Sequence, residues 1–224
     1  MALNGIAFAM MGLIYGLIHW LLYCSGVRAS KGYFAGETCQ SGCGAQEKTM
    51  GVMGQLAAGF GLLFMAIWLN IDATIGPSWS PFVVVAGALY GFKFLATAFA
   101  CYFQLDQRPI GDACIIGGVT QFIILPFAAL AGLPWDALLG FSVWGILIAN
   151  NGLLIHKRIS PKVQQANLVA GIFVAWWFMV FHGGMYPLPS VFVGYDTEMW
   201  AIVMVVIGVL AAIYMIYNMF MKRK

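Results

Sequence analysis

Charge is scarce in this chain. Of its 224 residues only 8% are charged, 11 basic and 8 acidic, where a soluble domain carries roughly a quarter. With 62% hydrophobic residues and a mean hydropathy of +0.88, a soluble fold of this size has nowhere to hide its apolar surface, so the expected solvent is lipid. The basic residues fall in short loops and not along one face, which argues against a nucleic-acid partner despite the net charge of +3. Histidine is rarer still, at three residues, and at most one pair at matching depth is available for a haem. No P-loop, HExxH, GxSxG or HxxxH pattern occurs, and no nucleophile, base and orienting group are spaced to act together. A membrane enzyme using histidines and thiols therefore ranks last among the function classes. No charged residue precedes the first apolar run and no small-residue cleavage site follows closely, so a retained helix is expected there and not a removable signal peptide.

What the chain does contain is a series of apolar runs separated by polar or Pro/Gly punctuation. They predict seven transmembrane helices, at about 4–25, 50–71, 81–104, 112–132, 135–155, 166–186 and 198–220. The fold class expected is all-α: a polytopic integral membrane protein, one seven-helix domain over 1–224, with no soluble domain. Each run can cross ~30 Å of hydrocarbon at ~1.5 Å per residue. The runs are too long, and alternate too little, for membrane strands.

Lysine and arginine set the orientation. With the N-terminus outside, Arg28, Lys31, Lys48, Arg108, Lys157, Arg158, Lys162, Lys222, Arg223 and Lys224 all fall on the inner side, ten of the eleven basic residues. The outer loops hold only Asp72, Asp136, Asp196 and Glu198, and Trp68, Trp79, Trp135 and Trp200 fall near the outer surface as an aromatic belt. The expected location is the cell membrane, with the C-terminus cytoplasmic. All five cysteines (24, 39, 43, 101 and 114) map to the inner side, as suits reduced thiols. Cys39 and Cys43 are weak metal-ligand candidates, because a zinc site normally needs four N or S ligands and the spacing does not choose the other two among Cys24, Cys101, Cys114 and His156. The sequence identifies no cofactor.

The eleventh basic residue, Lys93, lies in the middle of the third run, in ALYGFKFLAT. It is ~17 Å from either end of its helix, too deep for its ammonium to reach an interface fully. A central lysine costs about 2.5–3.5 kcal/mol on insertion scales, and no Asp or Glu is expected at its depth. On its helix it aligns with Ala86, Tyr90, Thr97, Ala100 and Gln104 in a small and polar stripe that should face the bundle interior, while Gly87 and Gly91 permit close helix approach. Other helices offer partners: Gly12, Tyr15, Gly16, His19 and Tyr23 on the first, Gln55 on the second and Gln121 on the fourth. Ser142, Asn150 and Asn151 follow on the fifth, and His182 ends the sixth. The ligand-binding candidates are thus Lys93, Tyr90, Thr97, His19, Tyr15, Gln121, Asn150, Asn151 and His182. Against this stands a plainer account, in which Asn and Gln are interhelical glue, the two histidines are hydrated helix ends and Lys93 is neutral beside a tyrosine.

Seven spans with an outside N-terminus also describe microbial rhodopsins, but the seventh helix here has no lysine to carry a retinal. Nor do spans 1–3 and 5–7 match each other as the repeats of small sugar carriers should. The first-ranked expectation is a small transporter, channel or receptor with a site for an anionic or polar ligand around Lys93. The alternative is an accessory subunit packed against other membrane subunits, or a homo-oligomer, within the lipid bilayer.

Overall fold

The computed structural model describes residues 5–21, 45–71, 78–103 and 105–221. Among them helices are the regular elements, with no strand. Seven α-helices follow in order: α1 (Gly5–His19), α2 (Ala45–Ile71), α3 (Ser80–Phe103), α4 (Arg108–Leu130), α5 (Trp135–Ile155), α6 (Pro161–Phe181) and α7 (Thr197–Ile216). The last five are long and apolar enough to cross a bilayer, whereas α1 and the Val52–Trp68 stretch of α2 are shorter apolar helices.

Three starts differ from expectation: α2 begins at Ala45, five residues before the expected 50, and two others begin early at a proline. Helix α6 begins five residues before the expected 166, because Pro161 occupies the first turn, where its missing N–H is no loss, and the polar Lys-Val-Gln-Gln that follows is still helical. Helix α4 begins at Arg108 for the same reason, with Pro109 in its first turn. Two ends form the same hydrogen-bonded cap with different residues. After α4, Gly132 takes the left-handed conformation (φ 86°) and Leu133 N–H donates to Ala128 C=O. After α5, Lys157 takes it (φ 59°), and Lys157 and Arg158 N–H donate to Leu154 and Leu153 C=O.

The helices close into a ring, each of α1 to α6 packing on the next and α6 returning to α1, while α7 lies outside against α4 and α5. Glycine makes the tightest seams. A Cβ on Gly12 would sit 2.6 Å from Ala57 O, and one on Gly16 2.6 Å from Gly54 O, so α1 and α2 touch backbone to backbone. A Cβ on Gly152 would overlap Gly111 O across the α4–α5 seam. Gly87 and Gly91 face Met65 and Leu63 of α2, the close approach expected of that pair. Helix α5 is buried along most of its length, but α7 buries only Ala201, Met204, Ala211 and Met215. One end of the ring gathers Trp79, Trp135, Trp177 and Trp200, and the other carries Arg108, Lys157, Arg158 and Lys162. We call them the tryptophan end and the basic end.

Candidate functional site

Helix α3 carries its buried residues at helical spacing: Val83, Gly87, Tyr90, Lys93, Phe94, Thr97 and Cys101. Phe92, Phe99 and Phe103 are exposed on the other face. Lys93 therefore points into the ring. Its Nζ is buried and has no hydrogen-bond partner among the described residues. What it meets is aromatic: the Trp20 ring centroid at 4.3 Å and that of Phe94 at 4.2 Å, the two rings standing edge to face at 88°. A desolvated cation–π contact is worth about 2 kcal/mol. Two of them are of the same size as the about 2.5–3.5 kcal/mol cost of a central lysine. The rings can hold a cation there, but they accept none of its N–H donors in a hydrogen bond.

Two thiols neighbour this ammonium, one on α3 itself and one on α4, and each has an amide partner. Cys101 and Cys114 are its electrostatic neighbours, both buried thiols outside any disulfide. Gln107 Nε2 donates to Cys101 Sγ (3.1 Å) and Asn151 Nδ2 to Cys114 Sγ (3.4 Å). Gln55 of α2, two helical turns from the inward-facing Leu62, is buried with its Oε1 unpaired. Thr97 spends its hydroxyl on Lys93 C=O one turn back (2.9 Å).

The remaining candidates are divided among other places. Asn150, adjacent in sequence to Asn151, turns away to α7 and accepts from Tyr214 OH at 2.9 Å. Tyr15 is 43% exposed on the outside of the ring, its ring 3.9 Å from that of His19. His19 is buried beside Gly54, with Nδ1 2.8 Å from Tyr15 C=O. Gln121 is buried against Gly145 at the α4–α5 seam, and Ser142 donates to Leu138 C=O within its helix. Cys24, Cys39, Cys43, Tyr23 and Gln104 lie outside the described residues. Among the described residues no group of three or more His, Cys, Asp or Glu side chains is placed to hold a metal.

Toward the tryptophan end the ring contains an apolar cavity with walls from α1, α2, α3, α5 and α6. Tyr90 lines it; Lys93, one turn further along α3, does not. The expected single stripe thus serves two compartments. His182 lines the cavity near its end, and its Nε2 lies 2.9 Å from Asp136 Oδ2, which also accepts from Trp177 Nε1 at 2.7 Å. Asp136 Oδ1 is buried without a partner. Next to this pair Tyr195 OH donates to Leu133 C=O, and Trp135 Nε1 donates to Val191 C=O at 2.8 Å, tying the segment after α6 across the end of the ring. Burial, and secondarily the charge of Asp136, push the Tyr195 phenol up to about 12, so it stays a hydrogen-bond donor at any physiological pH. Sequence reasoning counted Asp136 only as a loop acid. The available signal was its place in the first turn after Pro134, where a carboxylate favours a helix N-terminus; its pairing with a histidine 46 residues away left no trace in the sequence. At the basic end His156 Nε2 lies 2.8 Å from Asp112 Oδ1, near enough for an ion pair but not aligned as a hydrogen bond, and Arg108 pairs with Asp106 at 2.6 Å in solvent, holding that carboxyl below its usual range.

Compared with known proteins, the chain matches no family model, no curated protein and no solved structure.

Proposed function

We propose that the chain is a seven-span integral membrane protein with its tryptophan end outside and its basic end in the cytoplasm. In this reading it is a small transporter, channel or receptor that binds an anionic or polar ligand at Lys93. The charge asymmetry of the two ends supports the orientation. One observation carries the ligand reading: the Lys93 ammonium is buried among aromatic rings with no acceptor for its donors. A carboxylate partner would have neutralised it. Aromatic rings instead hold the charge and leave the N–H groups without an acceptor, which a ligand entering there with its own oxygens would supply.

The test is thermal stability and flux of the purified full chain with chloride, phosphate and acetate as probes. The reading expects at least one anion to raise the melting temperature of the wild type and to move through proteoliposomes, with both effects lost in Lys93→Met while the fold is retained. Full flux in Lys93→Met, or no response to any of these anions, overturns it. Co-purification with other membrane proteins at fixed stoichiometry would favour an accessory subunit instead.

A further inference from the structure

The cavity beyond Tyr90 is separate from the Lys93 site and has a different chemistry. Its walls are Ile6, Met10, Leu62, Met65 and Val83 on one side and a cluster of three aromatic rings on the other. In that cluster Phe141, Trp144 and Phe178 stand 4.9–5.5 Å apart, two of the three contacts edge to face. Most polar groups there are already engaged: Trp144 Nε1 donates to Gly171 C=O at 3.2 Å, and His182 is held by Asp136. The hydroxyl of Tyr90 is not. It is buried, it has no partner among the described residues, and Tyr90 lines the cavity. A buried unpaired hydroxyl costs about 1–3 kcal/mol, and an acceptor placed there recovers it.

We propose that this cavity binds an uncharged, single-ring aromatic molecule carrying one hydrogen-bond acceptor, its ring packed on the Phe141–Trp144–Phe178 cluster and its acceptor taking the Tyr90 O–H. An ionised ligand does not fit, because the walls are apolar, His182, the imidazole among the described wall residues, is already engaged by Asp136, and a buried charge without a partner is strongly disfavoured. An aromatic ring is favoured over an aliphatic chain because edge-to-face contacts with the cluster add about 0.5–1.5 kcal/mol beyond area burial. The enclosed space is small, so the ligand is no larger than one substituted ring. Met10 and Met65, flexible thioethers, are the wall residues that adjust around it.

Acetophenone and α-methylstyrene make a matched pair of probes, planar and nearly isosteric, one with a carbonyl oxygen and one with a methylene in its place. Calorimetric titration of the full chain in detergent, against protein-free micelles, should show saturable binding of acetophenone, about three- to tenfold tighter than α-methylstyrene. Tyr90→Phe should remove that difference and leave α-methylstyrene binding unchanged. Lys93→Met should change neither, which separates this site from the anion site. No saturable binding above the micelle blank overturns the proposal. So does a wild type that does not distinguish the two probes, a measurement that needs no variant, or a loss of acetophenone binding in Lys93→Met with Tyr90→Phe silent.

Discussion

The Nζ of Lys93 lies 4.3 Å from the centroid of the Trp20 ring, and this contact joins the middle of α3 to the basic end of α1. It answers the cost of a deep lysine without a carboxylate. The same ammonium also touches Phe94, so the charge is enclosed by two rings and left without hydrogen bonds.

The contact has a measurable coupling. Trp20→Leu should destabilise the protein by several kcal/mol through lost packing, since a large buried ring is removed. Part of that loss, about 1–2 kcal/mol, belongs to the cation and disappears when Lys93 is already methionine. A double-mutant cycle of Trp20→Leu and Lys93→Met by chemical denaturation in detergent reads this term directly. A coupling energy near zero would mean that Lys93 is not cationic in the folded protein.

How much of this was visible beforehand depends on the range of the interaction. The interior stripe of α3 follows from a 3.6-residue period, so Tyr90, Lys93 and Thr97 were legible as one buried face. The Gly87–Gly91 pair was legible for the same reason. Partners on other helices were not. Trp20 meets Lys93 only because α1 and α2 close along glycines and bring the end of α1 against α3, and no local pattern encodes that register. Asn150 and Asn151 are indistinguishable by composition, yet a rotation of about 100° per residue sends one to α7 and the other to Cys114. Tyr15 shared an expected face with His19, but a four-residue step leaves it at the edge of that face, where it reaches the ring's exterior.

The Asp136–His182 pair closes the tryptophan end and should be strongly stabilising by subtraction. Asp136→Ala removes the acceptor of two part-buried donors, Trp177 Nε1 and His182 Nε2. Breaking such a pair from one side costs about 3 kcal/mol or more. Asp136→Asn keeps one acceptor oxygen and should lose clearly less. Denaturation midpoints of the two variants test the ordering, and equal losses would show that the hydrogen bonds carry little of the energy.

The bond between Tyr214 and Asn150 should, by contrast, be worth little. It joins α7 to the outside of the ring, and side-chain hydrogen bonds between membrane helices average about 0.6 kcal/mol. Tyr214→Phe is expected to lower stability by no more than about 1 kcal/mol and to leave anion and acetophenone binding unchanged. A large effect on either ligand would place α7 in the functional machinery and not at its margin.

The two matching helix caps allow a prediction in which one substitution stabilises and its mirror destabilises. Lys157 and Gly132 hold equivalent left-handed positions, with φ of 59° and 86°. A residue with a Cβ pays about 1 kcal/mol to sit there, and glycine does not. Both positions leave room for either residue, since a Cβ on Gly132 would meet nothing within 4 Å. Lys157→Gly should therefore raise stability by about 1 kcal/mol, offset slightly by the greater freedom of glycine in the unfolded chain. Gly132→Ala should lower it by a similar amount for a purely conformational reason. Thermal midpoints of the two single variants and of the double variant, in which the shifts should cancel, check the argument, and a Lys157→Gly variant less stable than wild type would show that the lysine side chain stabilises the basic end more than its backbone strain costs.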